Sequence, residues 1–105
     1  MAQWDVYPNP SPNSRAEVPY LVDVQSDLLQ GVPTRFAVPL TLPRTSLGGL
    51  PPRMSPSFEV QGQALLLVPQ EAGPVDARLL RRSVLSLRAE SHRIVDALDA
   101  VVSGV

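Results

Sequence analysis

Hydrophobic and polar residues alternate in short runs over most of this chain and settle into a helical period only near its end. From Ala2 to Tyr7, Trp4 and Val6 alternate with Gln3, Asp5 and Tyr7, which predicts a first strand. From Tyr20 to Gln25, alternation puts Tyr20, Val22 and Val24 on one face and Leu21, Asp23 and Gln25 on the other. Ser26 and Asp27 carry side chains that bond their own backbone, so the strand should end there in a bend. Leu28 and Leu29 follow before Gly31 and Pro33. They lie in or beside a connection, where apolar residues are less expected. Thr34 to Leu40 predicts the next strand. Ser57–Gln61 and Gln63–Val68 flank Gly62 and predict a hairpin. Leu65 to Val68 lacks alternation, which suggests a strand covered on both faces.

The remaining segments are connections, one ambiguous stretch and a helix. Pro8 to Ser14 holds three prolines, which cannot donate to a ladder, and it reads as a mobile, solvated loop extending to Pro19. Leu42 to Pro56 includes Gly48-Gly49 and Pro51-Pro52, and should be irregular with at most one short turn of helix. Asp76 to Arg82 fits either a short helix or a bent strand. Leu87, Ser91, Ile94, Leu98, Val101 and Val105 recur at spacings of four and three, and Val95 and Val102 widen the stripe. They predict a helix over Leu87–Val102, with Ser86 at its start and Gly104 as a left-handed stop.

Composition narrows the class. A chain of 105 residues is read as one domain spanning 1–105. All nine basic residues are arginine, and the net charge is −1. This balance argues against binding nucleic acid by phosphate neutralisation. The absence of cysteine excludes disulfides and thiolate metal sites. No signal-peptide pattern opens the chain, and no apolar run approaches the ~20 residues of a membrane span. A soluble cytoplasmic protein without membrane attachment is the expectation.

Candidate chemistry is sparse. His92 lies off the apolar stripe and reads as a surface residue, because a general base needs a positioned partner. On a straight strand Asp23 and Asp27 would stand about 13 Å apart, too far to share a metal. Gly48-Gly49 lacks the Lys-Ser/Thr of a phosphate loop, and no serine sits in a Gly-x-Ser-x-Gly elbow. The chain therefore reads as a binding protein rather than an enzyme, with no cofactor and no metal.

The Val-Asp-Val-Gln-Ser-Asp run at 22–27, followed by Val-Pro-Leu at 38–40 and by a helix that stops one residue beyond a glycine, resembles the CcdB family of bacterial toxins. The resemblance covers nearly the whole chain and is weakest from Leu42 to Pro56. It implies a mainly β fold with one C-terminal α-helix: an SH3-like β-barrel of the CcdB/MazF-like type, with a small accessory sheet, assembled as a homodimer. It also implies a toxin that binds the A subunit of DNA gyrase and traps the enzyme on cleaved DNA. A small CcdA-like antitoxin reverses this, and DNA is engaged only through gyrase or antitoxin. The positions that carry the gyrase contact would be Leu28, Leu29, Asp99, Val102, Ser103, Gly104 and Val105. The chain departs from the family pattern at the helix end. Val102 and Ser103 stand where that pattern has phenylalanine and tryptophan, and Asp99 stands for a neutral asparagine. Two alternatives remain open. One is a ribonuclease of the related MazF-like family, for which Arg35 with Ser26 or Thr34 is the only cluster to nominate. The other is a homologue that binds antitoxin but no longer poisons gyrase.

Overall fold

The computed structural model describes residues 2–104. Seven strands form one antiparallel sheet that curls into a nearly closed barrel: β1 (Asp5–Pro8), β2 (Tyr20–Asp23), β3 (Thr34–Thr41), β4 (Ser57–Val60), β5 (Gln63–Leu67), β6 (Gly73–Asp76) and β7 (Leu85–Ser86). The strand order is β4-β5-β3-β2-β1-β7, with β6 branching off β3. Among the described residues one α-helix, α1 (Ser91–Ser103), follows a 3-10 turn at Arg88–Glu90.

The longest strand organises the sheet. One edge of β3 pairs with β2, from Tyr20↔Leu40 to Asp23↔Ala37. Its other edge is shared, with β6 beside Thr34–Ala37 and β5 beside Leu40–Thr41. Pro39 lies where the partner changes, and its carbonyl accepts the Val68 N–H at 3.0 Å. A strand residue's N and O point to the same side, so the donor that proline lacks falls at the gap between β6 and β5. The branch strand β6 is thus continuous with the barrel sheet through β3, and no separate accessory sheet forms among the described residues.

The β4–β5 hairpin closes as its sequence predicts. Gln61 and Gly62 both take positive φ, 53° and 77°, the backbone of a two-residue turn that matches strand twist. The first strand is shorter than alternation predicts. Trp4 has φ 78°, which breaks the extended backbone before Asp5 and turns the indole into the core. Two 3-10 turns, Thr45–Leu47 and Pro52–Met54, punctuate the irregular middle, one more than its sequence suggests. Asp76–Arg82 resolves as the end of β6 and one 3-10 turn at Ala77–Leu79. The Pro8–Pro19 loop is tied down by Asn9, whose buried amide donates to Val18 O at 2.8 Å and Ser14 Oγ at 2.9 Å.

Two cores lie on opposite faces of β2. The larger joins Trp4, Val6, Val22, Val24, Val38, Leu40, Phe58, Leu65 and Leu67 to Leu87, Ile94 and Ala97 of the helical segment. The smaller joins Tyr7, Val18, Leu21, Ala37 and Leu80. Leu21, Asp23 and Gln25, the face that alternation marks as the more polar one, are all buried.

The helix buries a different face from the one its valines suggest. Ile94, Ala97 and Ala100 face inward, while Val95, Val101 and Val102 are exposed. Small alanines let the helix lie close to the barrel, whereas a stripe drawn through the bulkiest residues is rotated away. Arg53 grips Asp96 with two bonds, at 3.0 and 3.3 Å. Arg93 stacks 4.4 Å over Phe58 and donates to Ser57 O at 2.8 Å. His92 is exposed.

Candidate functional site

The bend after β2 is built by polar side chains and finished with exposed hydrocarbon. Ser26 Oγ accepts the Leu28 N–H at 3.2 Å and caps a 3-10 turn at Asp27–Leu29. Asp27 Oδ1 accepts the Gln3 N–H at 3.0 Å, which fastens the turn to the N-terminal segment. Leu28 is left 94% exposed and Leu29 49%. A leucine at 94% exposure gains nothing from burial within this chain.

The bend rests on a buried polar network. The Asp23 carboxylate accepts from Arg35 Nε at 2.7 Å and from the Gln25 N–H at 3.0 Å. Arg35 Nη2 donates to Gln25 O at 3.2 Å. Both charged side chains are sealed from solvent, with 2% of the Arg35 and 0% of the Asp23 side chain exposed. Tyr7 lies on the same face. Burial, and then the carboxylates of Asp5 and Asp23, push its phenol above its ordinary value.

The second group of predicted residues lies at the helix end. Asp99, Val102, Ser103 and Gly104 are all exposed, Val102 at 88%. Ser103 Oγ bonds back to Asp99 O at 2.6 Å. Gly104 has φ 74° and its N–H donates to Ala100 O at 2.9 Å, the left-handed stop its sequence predicts. Val105 lies outside the described residues.

The bend comes near the 3-10 turn that precedes the helix, at the end away from Val102. Arg88 Nη2 approaches Asp27 Oδ2 at 4.0 Å, an exposed pair. From Ser91 to Ser103 the helix then runs roughly 20 Å at 1.5 Å per residue. Leu28 and Leu29 therefore neighbour the start of the helical segment, and Val102 stands a helix length from Arg88. Val95 and Val101 on the helix are exposed as well. The helical spacing alone places those two valines in the buried stripe, and the docked helix turns them outward. A separate hollow of about 300 Å³ opens between Pro8, Pro10, Arg15, Leu79, Arg81 and Arg82, and holds none of the predicted residues.

Among the described residues no cluster of His, Cys, Asp or Glu is arranged to hold a metal. Asp23 is committed to Arg35, and Asp27 to the N-terminal segment.

Barrel, helix and exposed leucines together define a small mainly β module that, among the described residues, carries its most exposed large apolar side chains on a bend and near a helix end. Its sequence matches the model of the CcdB protein family over residues 3–104. The chain belongs to that family, which consists of toxins from toxin–antitoxin pairs. No curated protein matches it.

Proposed function

We propose that this protein acts by binding rather than by catalysis: as a cytoplasmic homodimer it engages the A subunit of DNA gyrase and holds the enzyme on cleaved DNA, until a CcdA-like antitoxin removes it. The observation that carries the reading is the Leu28-Leu29 bend. Ser26 and Asp27 accept backbone N–H groups and Gln25 donates to Leu29 O to form it, yet it offers its leucines to solvent. An ordered apolar outcrop loses little freedom on docking, which favours a contact surface. Asp99, Val102, Ser103, Gly104 and Val105 complete the proposed contact at the helix end.

The ribonuclease alternative depends on Arg35, and the Arg35 guanidinium is buried and bonded to Asp23 and Gln25. Only 2% of the Arg35 side chain reaches solvent, which leaves little of it to present to a phosphodiester. The antitoxin-only alternative draws on Val102 and Ser103, because two missing aromatic rings remove surface that commonly dominates an interface. A gyrase cleavage assay with purified protein separates poisoning from the antitoxin-only reading. Accumulation of linear, protein-linked DNA supports poisoning. Tight antitoxin binding without cleaved DNA replaces it with the antitoxin-only reading.

A further inference from the structure

Strand β2 leaves its ladder in an unusual way. In register with Asp23↔Ala37, the next pair is Val24 with Phe36. Two residues at such a position normally exchange both backbone bonds. Here Val24 N–H reaches Phe36 O at 2.9 Å, and the return bond is diverted. Val24 O is taken by Gln3 Nε2 at 3.1 Å. The Phe36 N–H goes to the Gln25 side chain, onto Oε1 at 2.9 Å. Gln25 Nε2 donates to Thr34 O at 2.9 Å and, more weakly, to Leu29 O at 3.4 Å. The side-chain amide thus stands where a peptide group would have continued the sheet. It accepts from β3 and donates both to β3 and to the end of the bend.

From this geometry we infer that Gln25 is a positioning residue: its amide substitutes for the missing peptide of the β2–β3 ladder and sets the Leu28-Leu29 bend in its contact-ready shape. The inference rests on the proposed gyrase contact for its functional consequence, but not for its structural part. Only a planar group with an acceptor and a donor can serve both sides, so glutamate and methionine of similar size each fail in a different way. Asp23 and Arg35 act through Gln25. The Asp23 carboxylate holds its N–H and the Arg35 guanidinium holds its carbonyl, so the buried ion pair fixes the backbone from which the amide projects.

Amide exchange and gyrase affinity test this on the full chain. In Gln25→Met, the Leu29 and Val32 amides should exchange about tenfold faster or more, while Val22 and Val38 in the ladder keep their protection. Affinity for purified gyrase A subunit should fall about tenfold on the wild-type background, but less than about threefold when Leu28 and Leu29 are already alanine, because the effect passes through those leucines. Gln25→Glu gives a second route. As a carboxylate it accepts from Phe36 but cannot donate, so the bend loses protection. When acid protonates it, the donor returns and protection recovers relative to the core. Equal loss of protection across bend and ladder in both variants overturns the inference, as does an affinity loss that adds in full to the leucine substitutions. If the wild-type chain binds no gyrase, the proposed function falls, while the exchange measurements still judge the strut.

Discussion

The two faces of strand β2 solve burial in opposite ways. On one, Val22 and Val24 join a core made only of hydrocarbon and the Trp4 indole. On the other, Leu21 shares its space with an ion pair and a side-chain amide, all of them buried. Hydrocarbon packing is non-directional and stabilises whatever fills the volume. A buried carboxylate and guanidinium are favourable only in one geometry, and replacing such a pair by hydrocarbon often costs nothing. The polar face is thus a poor means of gaining stability and a good means of fixing direction. It lies directly beneath the bend that carries Leu28 and Leu29. The apolar face holds the barrel together, and the polar face aims one loop.

The largest effects should come from opposite sides of the strand. Leu67→Ala, facing Leu40 in register within the apolar core, should lose about 3–5 kcal/mol in denaturant unfolding. Asp23→Ala should lose a similar ~3–5 kcal/mol, because Arg35 is left charged and unpaired. The two substitutions part on the second step. A double replacement, Asp23→Leu with Arg35→Met, should recover most of the stability, yet leave the bend with faster amide exchange than the wild type. Recovery of bend protection along with stability would show that the polar face has no directional role.

Gly104→Ala comes next, at about 1 kcal/mol, because φ 74° is disfavoured for any residue with a Cβ. Nothing lies within 4 Å of the added methyl, so the whole effect is backbone strain. It should appear as fraying of the last helical turn by amide exchange at Ser103 and Gly104. Smaller still is the stability effect of replacing both Leu28 and Leu29 by alanine, within about 0.5 kcal/mol of wild type for surface positions. That near-neutral result should coincide with loss of gyrase-dependent DNA cleavage. A large drop in stability would mean that the leucines are core after all.

How much of this was legible in the sequence follows the same division. The alternation of β2 and β3, the Gly62 hairpin, the Ser26-Asp27 bend and the Gly104 stop were all readable, because each rests on local pattern or backbone chemistry. The polar face was not. Alternation groups Asp23 and Gln25 on the more polar side, and Arg35 is twelve residues further on. Only the pairing of β2 with β3 brings the three together. Leu87, Ile94 and Leu98 of the predicted stripe do face the core, but its valines do not, because Val95 and Val102 outweigh Ala97 and Ala100 in any hydrophobic stripe. Alternation puts Trp4 in a strand, since nothing in such a pattern reveals a left-handed backbone. The bend half of the candidate site was therefore visible early. The exposure of Val95, Val101 and Val102 needed the helix to be docked.

The smallest predicted effect concerns charge at the surface, as a control on the buried pair. Arg78 donates to Asp76 through Nε and Nη2, the closest contact being 2.7 Å, and its backbone N–H adds another bond at 2.9 Å. The side-chain bonds first, and the backbone bond next, hold the Asp76 carboxyl down to about 2. A carboxyl held lower in the folded chain than in the unfolded one contributes stability that is complete above about pH 4 and is lost as pH falls through about 2. Both groups lie in water, so the contribution should be hard to detect in unfolding experiments. The titration itself should be visible: an NMR pH series should place Asp76 near 2, and Arg78→Ala should return it to the ordinary carboxylate range. Unchanged unfolding in that variant, set beside the severe loss in Asp23→Ala, would show how little an exposed arginine–aspartate pair contributes at the same 2.7 Å separation.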